Sequence, residues 1–146
     1  MSADFLAWSH SRLKQFRDCP RQLYHNAVAP KGHPDRVEYT QTKDMLAGNL
    51  VDDALTKRIS GGTPLPPQYQ PYEGMAASVV AAPGAKFTQM KIALDRAFKP
   101  CGYMDWSNAW VRVIYDVAVI NGARGFLGDW KNGKVWPDDE QLRLFA

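Results

Sequence analysis

The chain has 146 residues, 45% hydrophobic and 23% charged, which is enough for one compact soluble domain with a real core and too little for a second independent one. A formal net charge of +3 permits a nucleic-acid partner without demanding one, because 18 basic residues are scattered among 15 acids. No basic stretch leading into an unbroken apolar run opens the sequence and no 18 consecutive apolar residues occur, so the expectation is a cytoplasmic protein with no membrane partner.

In chain order, "WSHSRLKQFRDCPRQLYHNAV" carries Leu13, Phe16, Leu23 and Tyr24 at helical spacing, with Ser9 or Ser11 as N-cap. The pattern predicts an amphipathic helix broken near Cys19-Pro20 and then resumed. After "PKGHPD", a long helix is predicted over "YTQTKDMLAGNLVDDALTKRI", with Met45, Leu46, Leu50, Val51, Leu55 and Ile59 as its apolar positions and "SGGTPLPP" as its stop. "EGMAASVVAAPG" reads as a short helix ending before Pro83-Gly84. The period then changes to two. "KFTQMKIALDRAF" alternates as a half-buried strand does, and "AWVRVIYDVAVI" and "ARGFLGDWK" make two more strands around Asn121-Gly122, a dipeptide suited to a tight hairpin turn. "WPDDEQLRLFA" opens a final helix, with Pro137 in its first turn and Asp138, Asp139 and Glu140 at the positive end of its dipole. The expected fold is α+β, with a mostly antiparallel central sheet of three or more strands and N-terminal helices packed on it.

The hairpin sets the geometry of the acids. With Asn121-Gly122 as a two-residue loop, Ile120 faces Ala123, Asp116 faces Leu127, and Asp129 is a diagonal neighbour of Asp116. With a four-residue loop from Asn121 to Arg124, Asp116 faces Asp129 directly. Either register puts both acids on one face, which Lys131 and Arg112 share by parity. The other face, Val111, Val113, Tyr115, Val117, Val119, Phe126 and Trp130, is the expected core face.

Two carboxylates roughly 5–8 Å apart on adjacent strands repel each other, and a divalent cation removes the conflict. Carboxylate oxygens are hard ligands that favour Mg²⁺ or Mn²⁺. Lys131, two residues beyond Asp129, is placed to orient a water or to stabilise an anionic transition state, and the chemistry that unites these parts is phosphodiester hydrolysis. A polar outer face with surface ion pairs is the plain structural alternative.

Four segments together resemble the PD-(D/E)XK nuclease superfamily, specifically the RecB-like exonucleases of bacteria and phages. "SHSRLKQFRDCPRQLYH" resembles that group's S-x-L-x-x-F-x-x-C-P-x-x-x-Y segment and "GNLVDDALTKRI" its G-x-x-x-H-x-x-L helix. "YDVAVINGARGFLGDWKNGK" resembles its aspartate strand, turn and D-x-K strand, and "QLRLF" its Q-x-x-x-Y helix. The resemblance implies a restriction-endonuclease-like domain spanning 1–146 that hydrolyses DNA with Mg²⁺ or Mn²⁺. Asp116 and Asp129 would be metal ligands with the backbone carbonyl of Trp130, and Lys131 the catalytic lysine. Gln141, with Arg112 and Gln89, would contact substrate.

Three positions depart from that pattern. Asp52 stands where the family usually has a metal-binding histidine and is still a candidate ligand, with a solvent-facing acid as the other reading. Gln89 stands where a glutamate is common, and Phe145 replaces the tyrosine. Relatives of this type continue beyond the last helix, so the chain is expected to be either a fragment or a minimal version whose sheet edge is covered by a second copy or a partner protein. The alternative function is a catalytically impaired module of the same fold that binds DNA or a partner protein in phage or bacterial recombination or defence.

Cys19 corresponds to an iron–sulfur ligand of some relatives, but two cysteines cannot supply four thiolates, so no iron–sulfur cluster is expected and Cys19 reads as a buried thiol. His10, His25 and His33 show no ligand spacing. Trp106, Trp110 and Trp136 read as core-packing or loop-anchor residues before base-stacking ones, and Arg12, Lys14, Arg17 and Arg21 as a solvated helix face before phosphate contacts.

Overall fold

The computed structural model describes residues 6–30, 32–36 and 40–131; the last predicted helix, with Trp136, Gln141 and Phe145, lies outside them. Helices α1 (His10–Asp18), α2 (Pro20–Leu23), α3 (Lys43–Gly61) and α4 (Glu73–Ala81) precede strands β1 (Ala85–Leu94), β2 (Val111–Asn121) and β3 (Arg124–Gly128). The strands form one sheet in the order β1-β2-β3, with β2 and β3 antiparallel. This is a mixed helix-and-sheet fold, and no described helix is long and apolar enough to cross a membrane.

The chain divides into two compact units, Met1–Thr40 with Lys91–Val113, and Gln41–Met90 with Ile114–Ala146. In the first, Ser9 caps α1 by accepting from the Arg12 backbone N–H. The helix stops at Cys19 because Pro20 pushes its predecessor into extended backbone, here φ −160° and ψ 99°. Pro20 then starts α2 at the position where its missing N–H is harmless. A single π-helical turn, Tyr24–Val28, follows. Trp8 pairs with the start of β2, donating its N–H to the Trp110 carbonyl at 2.7 Å and accepting from the Arg112 N–H at 2.8 Å. Few residues of this unit are buried: Ala7, Ala93 and Ala109 form one cluster flanked by Cys101 and Tyr103, and Leu23 and Ala29 are buried besides. The expected apolar stripe of α1 is correspondingly shallow, since α1 buries no residue and Phe16 is exposed with its edge on Trp8. Cys19 is exposed, which corrects the expectation of a buried thiol. Trp106 is exposed as well, so of core packing and loop anchoring the structure favours the second, with its ring against the Arg112 guanidinium.

The second unit holds the larger core, in which Val51, Leu55 and Ile59 of α3 meet Leu65, Ala76, Val79, Val117 and Val119. Thr42 caps α3, accepting from the Met45 N–H at 3.2 Å, and Gly62 ends it in the left-handed conformation at φ 68°. Only every fourth residue of the predicted stripe is buried; Met45, Leu46 and Leu50 stay exposed. Arg58 and Glu73 tie α3 to α4 through a two-pronged ion pair, with Nη2 2.6 Å from Oε1.

The hairpin turns one residue later than the Asn-Gly reading. Asn121 joins the ladder opposite Arg124, leaving Gly122 and Ala123 as the loop, with Gly122 at φ 60° in the first turn position where type II′ turns place glycine. The two-residue loop around Asn121-Gly122 is thereby corrected; the pairing Val117 with Gly128 and Val119 with Phe126 is the one in which Asp116 faces Asp129. Tyr115, Val117 and Val119 are buried as expected, whereas Phe126, opposite Val119, is 56% exposed. Ala118 is fully buried on the acid-bearing face, so that face is covered there rather than wet.

Candidate metal and catalytic centre

Three segments of the second unit converge on one acidic cluster. The β2–β3 ladder ends at Val117 and Gly128, so Asp116 and Asp129 are the next pair outward. In place of a further ladder bond, the Trp130 N–H donates to Asp116 Oδ2 at 2.7 Å. Trp130 packs against the core formed by α3 and β2, which fixes that backbone and hence the carboxylate it holds. Lys131 pairs its ammonium with Asp129 Oδ2; Lys131 is largely exposed while Asp129 is not.

Helix α3 supplies the third carboxylate. Asp52 follows buried Val51 and is half-buried, not solvent-facing. Gln89 of β1 donates its side-chain amide to Asp52 Oδ2 at 2.7 Å. The other oxygen, Oδ1, is buried with no hydrogen-bond partner among the described residues. Gln89 adopts φ 52° in the middle of a strand, where an L-residue is strained.

Burial pushes the Asp116 carboxyl up to about 6; Asp129 and Asp52 add to the rise, and the Trp130 N–H and Lys131 oppose it. Asp52 is also raised, first by burial, then by Asp53 and Asp129, with the Gln89 amide opposing. Among the described residues, three carboxylates thus act on one another in a partly desolvated space with the Lys131 ammonium. These acids outnumber, among the described residues, the cations that act on them, and one buried carboxylate oxygen, Asp52 Oδ1, lacks a hydrogen-bond partner there. Hard oxygen donors are the type that Mg²⁺ and Mn²⁺ select, but no set of one oxygen from each of the three carboxylates lies within 4.8 Å of one another, so a shared cation would have to draw them together.

Of the residues expected from the sequence, Asp52, Asp116, Asp129, Trp130, Lys131 and Gln89 come together. Arg112 belongs to the first unit, where its guanidinium lies 3.9 Å from the Trp106 ring centre and 5.3 Å from that of Tyr103 and donates to the Tyr103 carbonyl. Gln141 lies outside the described residues. The sequence reading missed that the Trp130 N–H holds Asp116, and that Gln89 serves Asp52. Neither has a signature in the sequence, since one is a backbone contact and the other joins residues 37 apart. Comparison with family models, curated proteins and solved structures finds no match.

Proposed function

We propose that this chain is a divalent-metal-dependent DNA nuclease of the PD-(D/E)XK type, a RecB-like exonuclease of a bacterial or phage system. The observation that carries the reading is the convergence of Asp52, Asp116 and Asp129 with Lys131, in a site whose burial raises the carboxyl of Asp116. Asp52, Asp116 and Asp129, with the Trp130 carbonyl, are the groups that would hold the cation. When bound, the cation lowers the pKa of water and offsets charge at the phosphorus centre. The chain's own contribution is positional. The Trp130 N–H aims Asp116, the Gln89 amide aims Asp52, and Asp129 steers the Lys131 ammonium, which orients the attacking water and stabilises the anionic phosphorane oxygens.

Linear DNA incubated with Mg²⁺, Mn²⁺ or EDTA tests this. Cleavage is expected only with metal, and Asp116→Ala and Lys131→Ala should each lower it by about 10²–10⁴-fold. Cleavage persisting in both variants would sink the assignment. A second reading, a binding module that retains the fold, is favoured by one observation: the position where relatives carry a ligating glutamate holds Gln89, whose amide is bound to Asp52. Metal-independent DNA retention without cleavage by the wild type would decide for it.

A further inference from the structure

The sequence gives His25 and His33 no ligand spacing, yet the fold of the first unit brings them together. His25 sits on the π-helical turn, which re-aims side chains relative to an α-helix. The chain then folds back through Gly32 at φ 88°, with His33 donating its N–H to the Pro30 carbonyl at 3.1 Å and the Arg36 guanidinium anchored on the Ala29 carbonyl. The two imidazole centres end 5.3 Å apart. One nitrogen from each ring and one carboxylate oxygen of Asp35 lie within 4.8 Å of one another.

We propose that His25, His33 and Asp35 form a binding site for a borderline divalent cation, with Zn²⁺ as the best fit. Two imidazoles and one carboxylate are the donors such ions select, and they leave a fourth tetrahedral position for water. The hydrogen-bonding state of the rings supports it. His25 Nδ1 is buried without a hydrogen-bond partner among the described residues, a costly state that coordination through that nitrogen would relieve. The bonds the rings do accept are long: Arg21 Nε to His25 Nε2 at 3.4 Å, and the Asp35 N–H to His33 Nδ1 at 3.2 Å. Both donors belong to exposed residues, so each turns to water at little cost when a cation takes the ring. Donor separations in a tetrahedral zinc site are about 3.3 Å, given Zn–N and Zn–O distances near 2.0–2.1 Å. The three groups must therefore close by at most about 1.5 Å, and exposed Asp35 has the freedom to do so. The cation would staple the π turn to the loop in a unit whose buried residues, among those described, are mostly alanines. Its donors differ from those of the acidic cluster: imidazole selects Zn²⁺, Co²⁺ or Ni²⁺, whereas the carboxylates of the second unit select harder ions. The proposal is independent of the nuclease reading.

Chelator-stripped full-length protein titrated with Co²⁺ and then Zn²⁺ tests it, read by visible Co²⁺ absorption and by the thermal midpoint. The expected result is one Co²⁺ per chain in a low-symmetry ligand field, displaced by Zn²⁺ and not by Mg²⁺. His33→Ala and Asp35→Asn should weaken Zn²⁺ at least about tenfold and abolish its stabilising effect. His25→Gln serves as a third variant, each being checked for native far-ultraviolet dichroism. Asp116→Ala should leave the signal intact. Unchanged Zn²⁺ affinity in the His33 and Asp35 variants, loss of binding in Asp116→Ala instead, or no binding at micromolar Zn²⁺ would overturn the proposal.

Discussion

Asp116 shows how a single side chain carries both a cost and a use. Its carboxyl rises from 3.8 to about 6, chiefly through burial. Between those two values the folded chain keeps a proton that the unfolded chain has lost, so stability falls as pH rises through that window and stays low above it. Asp116→Asn removes the cost. In EDTA, urea midpoints of this variant should decline less between pH 4 and 6 than those of the wild type. Above pH 6 the variant should be the more stable by roughly 1–2 kcal/mol, less than the full shift implies because the group is part-exposed and screened. In Mg²⁺ the ranking should reverse, since the cation then competes with the proton. Gln89 poses the complementary case. Gln89→Glu replaces an amide that donates to Asp52 with a like charge, so the metal-free protein should lose stability while Mg²⁺ affinity rises about tenfold, measurable by calorimetric titration. A drop in Mg²⁺ affinity would show that the amide, not a missing ligand, is what the site requires.

At the scale of elements, the local rules account for most of the fold. Pro20 divides the first helix, Gly62 ends the long one, and the change of period at Lys86 marks the first strand. Legibility stops where a property belongs to two segments at once. Phe126 has the parity of a core residue, but parity fixes only a face, and nothing in the sequence says whether another element covers it. The same applies to Met45, Leu46 and Leu50, which extend the apolar pattern of α3 past the width that β2 and α4 cover. The acidic pair was readable because both candidate registers keep Asp116 and Asp129 on one face; its third member, Asp52, was a candidate only through the family resemblance, because helix-to-sheet placement leaves no local trace in the residues themselves. The hairpin depends on one close approach: a Cβ on Gly84, which sits at φ 117°, would lie 2.4 Å from the Ile120 carbonyl oxygen. Gly84→Ala should therefore cost at least about 2 kcal/mol in chemical denaturation, and a neutral result would mean that the β1 entry does not pack against β2 as described. Leu55→Ala, at the fully buried centre of the same core, should cost about 2–5 kcal/mol.

For the whole molecule, the contrast between the two units matters most. One is organised around aliphatic residues from two helices and a strand; the other rests on small side chains, caps and aromatic contacts. Amide exchange should follow that division, with Val51–Ile59 and Tyr115–Val119 exchanging slowest and His10–Val28 faster. Equal protection throughout would mean that the chain opens as a single cooperative body. The cysteines offer a chemical reading of the first unit. Cys19 is open to reagents, while the Cys101 thiol is pushed up by desolvation and by Asp105 and Asp95, and so is sluggish as a nucleophile. A maleimide fluorophore should therefore attach first at Cys19 in the native molecule and more slowly at half-buried Cys101, and the ratio of the two rates measures how differently the fold shelters its two thiols.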